Sequence, residues 1–232
     1  DEGTRFATTG EDGTATVWAT NTGRRLLTLR GHAGGVNGIA YSPDGSLLAT
    51  TGHDRTVRLW DAASGRQVHV LRGHRKVVLG VAFSPDGSLL ATSSRDGTVR
   101  IWDVAMGTQH LVLRGSPGEP FYSFSGLTPA FSPDGSRVTS GGWKSTPIWD
   151  LATAKISMTL PRQMWPAFAV AFSPDGTRVA TDVNLDVQTW DAQTAKPLAT
   201  LSGHTGDIMG IAYSPDGQRI ATGGSDGTAA TL

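Results

Sequence analysis

Apolar and β-branched residues in this chain fall in short runs, broken by Pro, Gly, Asp and Ser. Val36 to Tyr41 is bounded by Gly35 and the turn Ser42-Pro43-Asp44-Gly45. Leu47 to Thr51 follows, then a tight turn at Gly52-His53-Asp54-Arg55, then Thr56 to Asp61. After Ala63-Ser64-Gly65 the run from Arg66 to Leu71 completes the set. Runs of this length and composition between turn residues predict strands joined as hairpins. No stretch keeps a 3.6-residue apolar period, so helix is disfavoured.

The pattern repeats. Ser-Pro-Asp-Gly begins at Ser42, Ser84, Ser132, Ser173 and Ser214, at spacings of 42, 48, 41 and 41 residues. Each copy follows an aromatic residue: Tyr41, Phe83, Phe131, Phe172 and Tyr213. Trp-Asp pairs run in phase at Trp60-Asp61, Trp102-Asp103, Trp149-Asp150 and Trp190-Asp191, and Gly-His at Gly31-His32, Gly73-His74 and Gly203-His204. Self-similarity at one period of this size marks a repeat architecture. Four predicted strands per unit in a meander make a propeller blade. Small residues on the first strand of a unit favour blades over a sandwich: Gly38 and Ala40, Gly80 and Ala82, Ala169 and Ala171, Gly210 and Ala212. Blades converge toward an axis, so one face of the innermost strand must be nearly bare, while Ile39, Val81, Val170 and Ile211 fill the other.

Composition narrows the function classes. Lys plus Arg equals Asp plus Glu at 20 each, so no basic excess points to nucleic acid. The chain has no cysteine, which excludes disulfides and thiolate metal sites and fits a reducing cytoplasm. No apolar run is long enough to cross a bilayer as a helix. The first residue is Asp1 rather than methionine, and the chain is expected to be part of something longer. Of the six histidines, three follow glycine in the repeat landmark, His53 sits in a turn, and His69 and His110 recur on outer strands. No ligand cluster and no phosphate-binding glycine motif stands apart from the repeat, so no cofactor and no metal is expected.

With these landmarks the whole chain resembles the WD-repeat family, in a bacterial style of closely similar repeats. The resemblance implies a buried relay from His through Thr to Asp and Trp. It maps onto His32, Thr50, Asp54 and Trp60, and onto His74, Thr92, Asp96 and Trp102. The first piece keeps Thr8, Asp12 and Trp18; the last has His204, Thr222 and Asp226, with Leu232 where Trp belongs. A His and an Asp beside a Thr could suggest a hydrolytic triad, but catalytic sites are not copied into every repeat. Two units depart from the pattern: Ser116 and Trp143 replace His and Asp in one, while Gln163 replaces His and Asn184 lies near the Asp position in the other.

One propeller region over residues 1–232 is expected, with full blades at 31–72, 73–114, 115–161 and 162–202. Residues 1–30 would lack a first strand and 203–232 a last one, so that six blades hold twenty-two strands. The preferred expectation is a parent of seven or more blades; a six-blade ring missing a strand at each end is the alternative.

Function is expected at loop tips, because the resemblance implies a platform for protein partners rather than an enzyme. The loops before the first strand and within the second hairpin carry Glu11, Asn37, His53, Arg75, Lys76, Val77, Leu79, Arg95, Asp207, Met209 and Ser225. The two divergent units carry Phe121, Tyr122, Phe124 and Trp143, then Met164, Trp165 and Phe168, a set rich in the residue types of interface hot spots. The leading expectation is a cytoplasmic, non-catalytic scaffold or regulatory propeller within a larger bacterial signalling protein. It would bind a protein or another domain of its parent, with neither nucleic acid nor membrane as partner. A central-channel sensor for a small ligand or peptide, and a propeller hydrolase or lyase, are the alternatives.

Overall fold

Strand follows strand without interruption by any other regular element. The computed structural model describes residues 3–115, 128–142, 145–161 and 167–231, and every helix or strand among them is a strand. Contacts divide the chain into two compact units, Asp1–Val112 and Leu113–Leu232.

In unit 1, β1 (Arg5–Thr9), β2 (Thr14–Ala19) and β3 (Arg25–Arg30) form a three-stranded sheet. β4 (Val36–Tyr41), β5 (Leu47–Gly52), β6 (Thr56–Asp61) and β7 (Gln67–Arg72) form the second sheet. The third contains β8 (Val78–Phe83), β9 (Leu89–Ser94), β10 (Thr98–Asp103) and β11 (Thr108–Arg114), whose last two residues fall past the unit boundary. Unit 2 holds the short-stranded sheet β12 (Ala130–Phe131), β13 (Arg137–Thr139), β14 (Thr146–Asp150) and β15 (Lys155–Leu160). Next come β16 (Val170–Phe172), β17 (Arg178–Val183), β18 (Asp186–Asp191) and β19 (Pro197–Leu201), and last β20 (Ile208–Tyr213), β21 (Ile220–Gly224) and β22 (Ala229–Thr231). Each sheet is an antiparallel meander in sequence order. The chain is all-β, of the β-propeller class.

Within each unit, apolar residues of adjacent meanders bury against one another. In unit 1 one core joins Val17, Leu29, Leu48 and Trp60, with Ile39 and Tyr41 packed on it. A second joins Val57, Leu59 and Leu71 to Val81, Leu90 and Trp102. In unit 2, Ile148 and Leu160 meet Val170, Val179 and Trp190, while Ala180 and Val187 meet Ile208 and Ile220. The bare face of the first strand has a direct cause at Gly38. A Cβ there would lie 2.8 Å from Thr51 Oγ1 and 3.0 Å from the Leu79 carbonyl oxygen of the next sheet. Backbones approach too closely for a side chain.

The Ser-Pro-Asp-Gly turns lock themselves. Ser42 Oγ donates to Asp44 at 2.5 Å and accepts the amide of Leu47 at 2.9 Å, while Gly45 supplies a φ of 70°. These hydroxyl bonds from Ser42 and Ser46 hold the Asp44 carboxyl down at about 2. The same bonds recur from Ser84, Ser132, Ser173 and Ser214.

One further fastening substitutes for apolar packing where leucine gives way to arginine. Leu47 and Leu89 begin their strands two residues after a turn glycine, and Arg5 and Arg137 hold the same place in β1 and β13, as the pairing of Leu47 and Arg137 with Asp61 and Asp150 shows. Arg137 Nη1 donates to the Ala192 carbonyl at 2.8 Å, with its guanidinium 5.5 Å from the Phe172 ring centre. Arg5 makes the equivalent bond to Ala62 at 3.3 Å. Arg137→Ala is expected to lower the unfolding free energy by about 1–2 kcal/mol, from the lost hydrogen bond and ring contact. Arg137→Leu should recover most of it, and urea unfolding of both variants checks this.

Candidate functional site

Three tight turns between second and third strands carry a carboxylate each that is mostly shielded from water, and donors converge on it from two directions. In the second sheet, His32 Nδ1 lies 2.9 Å from Asp54 Oδ1, and the amide of Ala33 donates to Oδ2 at 3.1 Å. From the hairpin itself, Thr56 donates to Oδ1 through its amide at 3.1 Å and its hydroxyl at 2.8 Å. The other imidazole nitrogen of His32 meets Thr50 Oγ1 at 2.9 Å, and that oxygen accepts the Trp60 indole N–H at 2.8 Å. The third sheet repeats the set with His74, Asp96, Thr98, Thr92 and Trp102 at 2.6 to 3.0 Å. In the last sheet His204 meets Asp226 at 3.0 Å and Thr222 at 2.7 Å.

Proton directions follow from the acceptors. A carboxylate only accepts, so the imidazole carries its proton on Nδ1. Its Nε2 then accepts from the threonine hydroxyl, whose oxygen in turn accepts from the indole. The imidazole donates once and accepts once along this line, and only its neutral form can do both. Burial accordingly pushes His32 and His74 below their ordinary value of 6.5, although Asp54 and Asp96 pull the other way. Burial works to raise Asp54 and Asp96, but the histidine, threonine and backbone donors outweigh it and hold both far below the usual carboxylate range. Their side chains are 10% and 5% exposed.

The first sheet has the other half of this chain. Trp18 Nε1 donates to Thr8 at 2.9 Å, and Asp12, exposed, holds only the Thr14 amide and hydroxyl among its described bonds. The divergent sheets fasten their tryptophans differently. Trp149 Nε1 donates to the Arg114 carbonyl at 3.1 Å; Trp190 keeps a bond to Thr181 at 2.9 Å.

The fastening positions the loop tips. Asp96 accepts the amide of Arg75, and Ser94 Oγ donates to the carbonyl of Val77 at 2.9 Å. Arg95 N donates to the same carbonyl. Arg75, Lys76 and Arg95 are thereby held, exposed, at one end of the third sheet. Within unit 1 the adjoining tips connect: His53 meets Asn37 Oδ1 at 3.1 Å, and Asn37 Nδ2 donates to Val78 of the next sheet at 2.8 Å. Glu11 is exposed above Gly35, and Val77 is half-buried. In unit 2, Ser225 donates its amide to Asp207; both are exposed, Met209 is 45% exposed and Phe168 is half-buried. Leu79 differs from the sequence expectation of an exposed loop residue. It belongs to β8 and is 7% exposed, because the strand starts a residue before it and the neighbouring sheet covers it. Phe121, Tyr122, Phe124, Trp143, Met164 and Trp165 lie outside the described residues, as do Ser116 and Gln163.

The repeat pattern alone does not single out two sets of residues. Thr14, Thr56, Thr98 and Thr228 complete the carboxylate shells, and their signal is a threonine two places after each relay aspartate. Asp182 is the other, a buried acid where the earlier repeats carry Thr51 and Ser93. Among the described residues no group of three or more His, Cys, Asp or Glu could hold a metal ion, and no helix is long and apolar enough to cross a membrane.

A meander repeated with the same fastening defines a repeat β-propeller whose sequence landmarks serve structure. The family model described as WD domain, G-beta repeat matches residues 23–61, 65–103 and 195–230. These three matches and the propeller fold are consistent with the WD-repeat β-propeller family. The stretch between the second and third matches, 104–194, holds all of the sheet β12–β15 and the first three strands of the sheet β16–β19, the two sheets in which the histidine and aspartate are replaced. Comparison with the curated proteins finds no match.

Asp96→Ala is expected to lower the unfolding free energy by about 3 kcal/mol, since His74 and Thr98 lose their acceptor inside the sheet. Asp12→Ala should leave unfolding nearly unchanged, and chemical denaturation of the pair measures the difference. For His32 and His74 the folded value lies below the unfolded one, so their stabilisation is complete above about 6.5 and fades as the pH falls through the folded value. Nitrogen chemical shifts of His74 should show the Nδ1–H tautomer at neutral pH and protonation only below 6.5.

Proposed function

We propose that this chain is a non-catalytic protein-interaction scaffold, one domain of a larger bacterial signalling protein. Propellers built from WD repeats commonly serve as interaction scaffolds. The observation that carries the proposal is a division of labour within the third sheet. The His74–Asp96 fastening is buried, while the tips it holds, Arg75, Lys76 and Arg95, are exposed and differ from the residues at matching places in the second sheet. Constant groups serve stability, and variable groups face solvent. Among the described residues no titratable set outside the repeat fastening suggests chemistry, and the shells of Asp54 and Asp96 are filled by the protein's own donors.

The partner-binding residues proposed from the sequence are, in unit 1, these tips and Leu79, which the structure buries, and, in unit 2, Phe121, Tyr122, Phe124 and Trp143, Met164, Trp165 and Phe168, and Met209. Aromatics and arginine supply most of the energy in protein interfaces. Two variants of the full chain test the reading: Phe121→Ser with Tyr122→Ser and Trp165→Ser, and Arg75→Glu with Lys76→Glu and Arg95→Glu. Quantitative capture from cells of the source should show the same protein lost by at least one variant, with the unfolding temperature within a degree or two of the native chain. A captured set indifferent to both variants would reject the surface. Aromatic substitutions that unfold the chain would assign those side chains to the core.

A further inference from the structure

Asp182 is 1% exposed, yet it belongs to no relay. It pairs with Val187 as Thr51 pairs with Val57, so the two residues hold one position in their sheets. Thr51 shows what that position does. Its oxygen accepts the Gly38 amide at 3.0 Å, and its hydroxyl points at the Leu79 carbonyl of the next sheet, 3.4 Å away. In unit 2 the amide of Ala169 donates to Asp182 Oδ1 at 2.7 Å, and the amide of Phe168 also bonds the carboxyl. β20 packs against β17, and Met209 stands in it where Leu79 stands in β8. The pairing skips from Ile208 to Gly210 as it does from Val78 to Gly80. A hydroxyl accepts and donates together, whereas an ionised carboxylate only accepts.

We propose that Asp182 is a proton-linked latch between the two last sheets of unit 2. Protonated, it donates to the main-chain carbonyl of Met209 while accepting from Ala169; ionised, it faces that carbonyl without a donor and loosens the contact. Among the described residues its surroundings offer no compensating cation. The segment 167–169 and β16 bring no titratable group; β18 brings Asp186 at this end and Asp191 at the other. Asp207 precedes β20 and Tyr213 ends it, while Arg178 lies at the far end of β17. Burial raises the carboxyl from 3.8 to about 6, and the negative charge of Asp207 adds to this, against the backbone donors. Because the folded value is the higher one, the stabilisation is complete below about 3.8 and disappears as the pH rises through about 6. That dependence is opposite in sign to the histidines'. The latch stands independently of what the loop tips bind.

Unfolding equilibria of the full chain at pH 4.5 and 8, for the native protein and Asp182→Thr, test it, with a carbon NMR titration of the Asp182 carboxyl. Asp182→Thr restores the hydroxyl found at Thr51. Relative to the native chain, it should gain roughly thirtyfold in folding equilibrium at pH 8 over its effect at pH 4.5. The native carboxyl should titrate near 6. An effect of Asp182→Thr that is equal at both pH values, or a carboxyl titrating near 4, would overturn the latch. Should the variant fail to fold, the native titration decides alone.

Discussion

A carboxylate withdrawn from water must be met by donors, and the sheets that carry WD landmarks are arranged around meeting that demand. At Asp96 the donors come from the hairpin that carries it, through Thr98, and from the chain entering the sheet, through His74 and the Arg75 amide. One charge therefore ties the second hairpin to the entry loop. Through Thr92 and the Trp102 indole the same line of bonds runs back across the sheet. Removing a single member strands its neighbours in a buried place, where an unpaired polar group costs about 1–3 kcal/mol. This explains why the set is retained whole in the second and third sheets and why it is not free to do chemistry.

Where the carboxylate is absent, the sheet solves the same problem with less. Trp149 turns to a backbone carbonyl, and Trp190 keeps its threonine without a histidine. The sheet β12–β15 also opens with strands of two and three residues. Packing against neighbours still buries Ile148, Leu160 and Val179 completely. Divergent sheets are tolerated in a repeat fold because adjoining units cover their faces. Sequence freedom released in this way is available to a binding surface, which connects the loss of relays to the proposed function.

Much of this architecture is legible in the order of residues alone. The alternating runs and the Ser-Pro-Asp-Gly turns give the strands from Val36 to Leu71 closely, because turn chemistry fixes boundaries when it recurs. His32, Asp54 and Trp60 are legible as one group through constant spacing. Leu79 escapes such a reading because a strand can begin before the last landmark of a loop, and its exposure depends on a neighbouring sheet that spacing does not report. Asp182 stays hidden for a different reason: an acid in a run of small and β-branched residues looks like a solvated position until the register brings it beneath the next sheet.

Amide hydrogen exchange across the full chain tests most directly whether the buried carboxylate governs rigidity. Peptides covering residues 47–61 and 89–103, which hold complete relays, should be the slowest to exchange at neutral pH. Those covering 137–150 and 178–191 should exchange well before them. Equal protection in all four stretches would contradict the relay's governing role, and slower exchange in 137–150 than in 89–103 would do so outright.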